Sequence, residues 1–339
     1  MKKHYGLYLI LTFIGLIGNM DAKRIYIVPP GGYEDGKLFK LSNDWLNRDM
    51  VNQIWCDLKA ELNRRGHTIQ TVRMNANMNN CDALIVCGIF PQYFNVYQRL
   101  TNAGKRVISL LFEPKTVEPQ SYNRNYYNHF TKVITMYDDD VREVGNCMKL
   151  HYAQPHLSMR ESVSFSKKRL CTMINSNKSS NYKNSLYGER QNAVKELSKH
   201  PQDFTFYGQG WNVKRWKCYG GGVKSKSDTL VNFKFCICYD NTNDANGYIT
   251  EKIFDSMQAG CVPVYLGAPN ITDYVPAECL IDKRDFSSYE DLYNFMKNMT
   301  QEEYQKYIDN IQAFYASEMA ERFSGAHFAK TVCEALAVE

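Results

Sequence analysis

Side chains that could bind a nucleotide are concentrated between residues 239 and 264 of this 339-residue chain. Residues 233–239 form an apolar run typical of a buried strand, an Asn- and Gly-rich loop follows, and a helix is predicted to begin at Thr250. Ligands of open α/β sheets bind at the carboxyl edge of the strands, where this loop would lie. The free N–H groups of the first helical turn, together with Lys252, would attract a phosphate.

Glu251 precedes Lys252 and has a different chemical preference. A carboxylate repels an anion but accepts hydrogen bonds from the paired hydroxyls of a ribose. On residue types alone, residues 239–252 therefore predict a nucleotide site at the start of a helix. The alternative is a capped helix whose Glu–Lys pair is solvated.

A candidate general base stands in the first half of the chain. Residues 107–112 form an apolar run that ends at Glu113. A carboxylate at the end of a strand would face the predicted cleft, where burial raises its pKa and equips it to accept a proton. A structural role for Glu113 is the alternative, and Glu118 is the second candidate for the base.

Strands and helices alternate along both halves of the chain, which favours parallel sheets covered by helices on both faces. The strands are predicted at residues 23–28, 68–72, 83–90, 106–112, 132–137, 170–175, 203–207, 233–239 and 262–266. The Ser- and Lys-rich stretch 158–168 is the predicted linker. We therefore expect an α/β fold with two Rossmann-like domains, 23–160 and 161–339, that face a central cleft. A single large sheet is the alternative.

Composition excludes several classes of protein. With 44% hydrophobic residues and a mean hydropathy of −0.47, the chain is neither wholly disordered nor a polytopic membrane protein. A formal net charge of +5 gives little support for nucleic-acid binding, and the single basic run 214–217 matches no nucleic-acid motif. We expect no nucleic-acid partner.

The N-terminus suggests entry into a secretory route. Lys2 and Lys3 precede an uncharged run at residues 5–18, so residues 1–22 are interpreted as a signal peptide or a short signal-anchor that would tether the chain to a membrane. A buried strand is a third interpretation. Three Asn-X-Ser/Thr sequences occur, at Asn177, Asn270 and Asn298, and Asn298 is expected to be glycosylated because the other two lie near the predicted cleft.

The cysteines give no support for a metal or redox motif. None of the eleven forms a CxxC pair, and Cys236 and Cys238, two apart in an apolar run, are interpreted as small buried hydrophobic residues. Disulfides are possible in an oxidising lumen, but the sequence does not determine their pairing.

The stretches 233–241, 248–252 and 259–267, followed by Asp285 and Phe286, resemble the donor-binding signature of the α1,3/4-fucosyltransferases, glycosyltransferase family 10. The similarity covers most of the second half of the chain and patches of the first. It implies the GT-B fold of two Rossmann-like domains and GDP-fucose as the donor. The reaction implied is inverting transfer of L-fucose to O3 or O4 of GlcNAc or glucose in an oligosaccharide or glycoprotein acceptor.

The resemblance also implies roles for individual residues. Glu251 would hold the ribose, Lys252 would hold the diphosphate, and Asn241 and Tyr248 would line the nucleotide pocket. Arg190 matches the arginine of the family that contacts the β-phosphate, although a surface helix residue is the alternative.

The family's proposed base lies at the end of the strand that corresponds to the one before Glu113, but the residues around Glu113 match the family only loosely. Asp138, Asp139 and Asp140 have the DxD form that other sugar-nucleotide transferases use for Mn²⁺. We predict a loop or the start of a helix there instead, because the fucosyltransferases that the chain resembles neutralise the diphosphate with Arg and Lys. No metal cofactor is expected to be required, although Mn²⁺ or Mg²⁺ could stimulate.

The expected location is a Golgi-type membrane or lumen, or outside the cell after signal cleavage. Two other functions stay open on the sequence. The chain could use a different nucleotide sugar on the same GT-B fold, or it could bind glycans without catalysis.

Overall fold

The computed structural model describes residues 22–42, 45–161, 163–212 and 214–338, so the apolar run 5–18 lies outside the described residues. The described chain forms two separate parallel sheets. The first has the order β2-β1-β3-β4-β5-β6 and consists of β1 (Arg24–Val28), β2 (Thr68–Thr71), β3 (Ala83–Cys87), β4 (Arg106–Leu111), β5 (Lys132–Thr135) and β6 (Cys147–Lys149).

The second sheet has the order β11-β10-β9-β7-β8. Its strands are β7 (Arg169–Ile174), β8 (Phe204–Tyr207), β9 (Phe233–Tyr239), β10 (Val262–Leu266) and β11 (Ile281–Asp282). This arrangement confirms the predicted α/β fold with two parallel sheets and excludes the single large sheet.

Helices cover the sheets. They are α1 (Gln53–Arg64), α2 (Phe94–Asn102), α3 (Asp138–Glu143), α4 (Tyr187–Leu197), α5 (Lys226–Leu230), α6 (Glu251–Gln258), α7 (Tyr289–Asn298), α8 (Gln301–Tyr315), α9 (Glu318–Glu321) and α10 (Gly325–Leu336). Within the described residues, no helix combines the length and the hydropathy that a membrane crossing needs.

The central strands are apolar because both faces of each sheet are covered. All five residues of β3 are buried, and Lys234 is the one residue of β9 that is not. Each fully buried Val, Leu or Ile contributes about 1.5–3 kcal/mol to the free energy of unfolding. Cys236 and Cys238 lie among these buried residues of β9, in agreement with their interpretation as small hydrophobic side chains.

The last helix packs in the core of the first domain, although the sequence analysis assigned it to the second domain, 161–339. Helix α10 packs against α1 in the core of the first domain, where the ring centroids of Phe328 and Trp55 are 5.3 Å apart. Arg106 Nε on β4 donates to the carbonyl oxygen of Ala335, at 2.7 Å. The chain returns to the first domain because the apolar face of α10, which includes Val332, is needed to complete that core.

The chain therefore crosses between the domains twice, and the two crossing segments lie side by side. The N–H of Gln154, on the outgoing segment, donates to the carbonyl oxygen of Phe323, on the returning segment, at 2.7 Å. Gln154 and Ser324 form a parallel β-bridge at the same place.

A polar network also joins the domains beside the loop that precedes α6. Asp138 accepts hydrogen bonds from Lys149 Nζ at 2.7 Å, Tyr274 Oη at 2.6 Å and Asn270 Nδ2 at 3.0 Å. Lys149 Nζ also donates to the carbonyl oxygen of Gly247, at 3.1 Å. The first domain thus fixes the position of the loop that leads into α6.

Candidate active site

The six residues predicted for the site lie together in a cleft of 520 Å³ between the two domains. The second domain contributes five of them and the first domain one: Arg190, Asn241, Tyr248, Glu251 and Lys252, and Glu113. The cleft lies at the carboxyl ends of β4, β7 and β9, because Glu113, Asn175 and Asn241 follow these strands closely and all line it.

Lys252 is held at the start of α6 by a buried carboxylate that sequence reasoning did not assign to the site. Its Nζ donates to Thr250 Oγ1 at 2.9 Å and lies 3.6 Å from Asp240 Oδ1. Asp240 also accepts hydrogen bonds from Thr250 Oγ1 at 2.5 Å and Tyr265 Oη at 2.9 Å. Burial raises the pKa of Asp240, against the opposing charge of Lys252 and these hydrogen bonds. The helix start and the ammonium thus present positive charge to the cleft.

Arg190 is buried, with 4% of its surface exposed, and is not the surface helix residue that was the alternative. Its Nε and Nη2 donate to the carbonyl oxygen of Tyr239 at 3.2 and 2.8 Å, and Nη2 also donates to Asn241 Oδ1 at 2.8 Å. The guanidinium lies 4.9 Å from the ring centroid of Tyr187. Among the described residues no carboxylate forms an ion pair with it, and burial lowers its pKa. Burying a charge without a partner is costly, so this position favours an anionic ligand.

Asn241 and Tyr248 form part of the cleft wall beside these cations. The side chain of Asn241 holds Arg190, so its contribution to the site includes orienting the guanidinium. Tyr248 is buried and packs edge to face on Tyr137 of the first domain, with ring centroids 6.1 Å apart. Its ring therefore lies where the two domains meet.

Glu251 is ionised in this environment. Burial would raise its pKa, but Lys252 and Lys226, whose Nζ atoms lie 3.5 and 3.8 Å from Glu251 Oε1, lower it to about 2. Lys226 Nζ also contacts Asp255 Oδ2 at 2.7 Å. Lys226 is thus a second residue of the site that sequence reasoning missed.

Glu113 lies two residues beyond the end of β4, as predicted. Tyr122 Oη donates a hydrogen bond to the backbone carbonyl oxygen of Glu113 at 2.8 Å, which fixes the backbone there. Its side chain is exposed at the wall of the cleft, and the protein of both domains that lines the cleft partly excludes water from it. This desolvation raises its pKa, with further increases from Glu118 and Glu251 that outweigh Lys252 and Lys178. The direction agrees with the shift expected for a general base.

A second cavity, of 460 Å³, adjoins the cleft on the side of the first domain. The two share a wall that includes Glu113, Tyr152 and Glu251. Besides Tyr152, four aromatic side chains line the second cavity: Tyr33, Trp55, Phe90 and Phe112. Such a surface suits the apolar faces of ring-shaped ligands.

The glycine turn after β8 allows the close approach of two loops at the cleft. Gly208 has φ +132°, and a Cβ there would collide with the carbonyl oxygen of Asn175, which follows β7. Both residues line the cleft, so this turn shapes its floor.

The three consecutive aspartates begin α3, as predicted, and each carboxylate has partners from a different part of the protein. Asp138 joins the two domains, Asp139 pairs with Arg142 at 2.7 Å, and Asp140 pairs with Arg124 at 2.8 Å. Within the described parts of the chain, no three His, Cys, Asp or Glu side chains are grouped as metal ligands would be.

The three glycosylation sequences differ in their surroundings. The side chain of Asn177 donates to the carbonyl oxygen of Gly210, and that of Asn270 to Asp138 and Asp273. Asn298 is exposed at the end of α7.

Curated relatives match short parts of the chain. An α-(1,4)-fucosyltransferase of Arabidopsis thaliana is 36% identical to this chain over 70 positions, which are 21% of this chain and 17% of the relative. The α-(1,3)-fucosyltransferase FucT of Helicobacter pylori is 31% identical over 78 positions, 23% of this chain and 16% of the relative. Human α-(1,3)-fucosyltransferase 7 is 32% identical over 101 positions, 28% of this chain and 29% of the relative. The matches thus span less than a third of each relative.

Solved structures share the fold over most of the chain. A crystal structure of an α1,3-fucosyltransferase with GDP-fucose superposes with a TM-score of 0.54 at 15% identity, covering 85% of this chain and 81% of that one. An α-glucosyltransferase in complex with UDP and DNA gives a TM-score of 0.56 at 11% identity, covering 93% and 100%. At such low identity these structures establish the GT-B fold alone.

The model of the glycosyltransferase family 10 (fucosyltransferase) C-terminal region matches residues 164–338. This match takes in the whole second sheet and five of the six residues gathered in the cleft. Because this match covers more than half of the sequence, the chain belongs to glycosyltransferase family 10.

Proposed function

We propose that the protein is an α1,3/4-fucosyltransferase that moves L-fucose from GDP-fucose, with inversion, to O3 or O4 of GlcNAc or glucose in an oligosaccharide or glycoprotein. The observation that carries the proposal is the buried guanidinium of Arg190, which lines the cleft without a carboxylate partner among the described residues. A diphosphate bound between Arg190 and Lys252 would neutralise it. Family membership supports GDP-fucose as the source of this diphosphate.

Both cations would act most strongly on the leaving group. As the bond between the anomeric carbon and the diphosphate oxygen breaks, GDP gains negative charge. A guanidinium and an ammonium that are already positioned by Tyr239, Asn241 and Asp240 need little reorganisation to stabilise that charge. In this proposal Glu251 holds the ribose, Asn241 and Tyr248 line the nucleotide pocket, and no metal ion is required.

Glu113 would accept the proton of the acceptor hydroxyl while the acceptor oxygen attacks the anomeric carbon. The new glycosidic bond forms on the face opposite to the departing GDP, so the configuration inverts and no covalent enzyme intermediate forms. The raised pKa of Glu113 and its position on the wall shared by the two cavities support this role. Binding both substrates in adjoining cavities reduces the entropic cost of their encounter.

The proposed setting is a secretory compartment, where oligosaccharide and glycoprotein acceptors occur. It is supported by the apolar run at residues 5–18, which has the length of a signal-peptide core. A cleaved signal peptide and a retained signal-anchor would be distinguished by sequencing the N-terminus of the mature protein.

The test is incubation of the full chain with GDP-fucose and a panel of lactosamine and chitobiose acceptors, with and without EDTA, and with mass spectrometry of the products. We expect fucosylated product in both conditions, any stimulation by Mn²⁺ or Mg²⁺ being modest, and inhibition by GDP. The absence of both transfer and GDP binding would refute the proposal.

A different nucleotide sugar is the second candidate, because an α-glucosyltransferase solved with UDP shares the fold. Stronger protection of the chain by UDP than by GDP in thermal unfolding would favour it. Glycan binding without GDP-dependent turnover would instead indicate a protein of this fold that has lost catalysis.

A further inference from the structure

We propose that the second cavity selects acceptors that carry no negative charge near the reacting sugar, and that Glu118 is a specificity-determining residue. This inference rests on the proposed function, since it names the acceptor class of the same site.

The charges on the wall of the second cavity are unbalanced. Its charged residues, among those the structure describes, are five carboxylates and one ammonium: Asp49, Glu113, Glu118, Glu251 and Asp255, and Lys226. The cleft on the donor side has the opposite balance among the described residues. Three carboxylates line it, Glu113, Glu251 and Asp255, against five cations, Arg48, Lys178, Arg190, Lys226 and Lys252. An anionic donor and an uncharged acceptor would therefore each meet a suitable surface.

Cations compensate three of the five carboxylates. Lys226 Nζ lies 2.7 Å from Asp255, 3.8 Å from Glu251 and 4.0 Å from Asp49. Asp49 has a second cation beside it, because Arg48 Nε lies 3.5 Å from Asp49 Oδ2. The three carboxylates and these two cations form a connected ionic cluster at the wall of the cavity.

Glu113 and Glu118 have no such compensation within the described chain. Neither forms an ion pair, and the one hydrogen bond to the carboxylate of Glu118 comes from Ser121 Oγ, at 3.1 Å. Glu118 is half-buried on the cavity wall near Gly88 and Phe90, and its Oε2 lies 3.3 Å from the position that a Cβ on Gly88 would occupy. Gly88 thus leaves the carboxylate open to the cavity.

The remaining acceptor positions of the Glu118 carboxylate suit the hydroxyl and amide N–H groups of a neutral sugar. A sialyl carboxylate or a sulfate ester in the same cavity would instead be repelled by Glu118 and Glu113 together. Because Glu113 is the proposed base, Glu118 is the residue through which this selection can be tested without removing the chemistry.

The experiment compares kcat/KM for lactosamine and for its sialylated and sulfated forms, with GDP-fucose at saturation and at pH 8. The basic pH keeps Glu118 ionised, since burial raises its pKa. We expect the wild type to prefer the neutral acceptor at least tenfold, and we expect the preference to weaken as salt is raised from 20 to 200 mM. Equal values for neutral and anionic acceptors would overturn the inference.

Glu118→Gln should reduce the preference to less than threefold and raise KM for lactosamine, while kcat falls far less than in Glu113→Gln. A loss of kcat as large as that of Glu113→Gln would identify Glu118 as the base and overturn the assignment. Glu118→Asp keeps the charge and should keep the preference, which a merely structural role for the side chain does not predict. Glu302→Gln, on the exposed first turn of α8, is the matched control and should behave as wild type. An unchanged preference in Glu118→Gln would refute the assignment.

If Glu118→Gln does not fold, the salt dependence of the wild type and the Glu118→Asp preference decide the question. Transfer to every acceptor without discrimination refutes only this inference. The absence of transfer and of GDP binding refutes the proposed function itself.

Discussion

Replacement of Arg190 by methionine tests the proposed donor site most directly. Methionine approximates the length of the arginine side chain but removes the charge and all hydrogen-bond donors. Loss of one donor to a developing oxyanion lowers kcat about 10²–10³-fold in enzymes that depend on such a contact. We therefore expect kcat/KM for GDP-fucose to fall about 100-fold, which corresponds to about 2.7 kcal/mol of transition-state stabilisation.

The effect on stability should be much smaller than the effect on activity. The substitution removes the hydrogen bonds to Tyr239 and Asn241, and a buried carbonyl oxygen left without a partner costs about 1–3 kcal/mol. It also removes a buried cation that has no carboxylate partner among the described residues, and this relieves an opposing desolvation cost. We expect the free energy of unfolding of the unliganded protein to change by less than about 2 kcal/mol.

The assay measures GDP release with a neutral acceptor, together with calorimetric binding of GDP and thermal unfolding with and without GDP. Arg106→Met is the control, because Arg106 also donates to a backbone carbonyl but lies outside the cleft. Arg190→Met should lose most of the GDP-dependent increase in Tm, whereas Arg106→Met should keep it. A kcat/KM within fivefold of wild type in Arg190→Met would refute the assignment of the diphosphate to this guanidinium.

Three further predictions concern other parts of the protein. Lys252→Ala should lower kcat/KM at least tenfold because it removes the second cation from the leaving group, and a value within threefold of wild type would contradict this role. The pKa of Glu113 is raised, and the base must be ionised to accept a proton. In a pH profile, kcat/KM should therefore rise with an apparent pKa above the ordinary glutamate value of about 4.3. An apparent pKa at or below that value would argue against Glu113. In a eukaryotic secretory host, Asn298→Gln should remove an N-glycan detected by mass spectrometry, since Asn298 is exposed; an unmodified Asn298 in the wild type would show this expectation to be wrong.

The sequence predicted the strands well because parallel strands buried on both faces are short continuous apolar runs. The runs at 106–112 and 233–239 correspond closely to β4 (Arg106–Leu111) and β9 (Phe233–Tyr239). The elements that sequence reasoning missed are short, such as α5 (Lys226–Leu230) and β11 (Ile281–Asp282). Segments of two to five residues have too few positions for a periodic pattern to be recognised.

Two helices, α9 and α10, span residues 318–336, and the break between them carries the chain to the other domain. Ser317 and Ser324 each cap a new helix, since their side chains accept hydrogen bonds from Ala320 N and His327 N. The apolar pattern of α10 shows that one face must be buried, but it does not specify which of two cores that face joins. The domain assignment therefore depended on tertiary contacts that the sequence does not encode locally.

The charged residues of the site were predictable where a motif surrounds them and missed where distant segments meet. Lys252 and Arg190 stand at the starts of helices that follow strands, a placement that residue order makes visible. Lys226 meets Asp49 across 177 positions of sequence, and no local pattern predicts that contact. Asp240 could have been found, because it directly follows an apolar strand, just before the loop that leads into α6.

The paired crossing at Gln154 and Ser324 constrains how the molecule can move and how it can be divided. Two adjacent connections act as a single hinge, so opening and closing of the cleft should be a rotation about one axis rather than free tumbling of tethered bodies. Chimaeras that exchange the second domain between relatives accordingly need two junctions, one near each crossing. A fragment that ends before Gly325 would lack Phe328, which packs on Trp55, and would expose the core of the first domain.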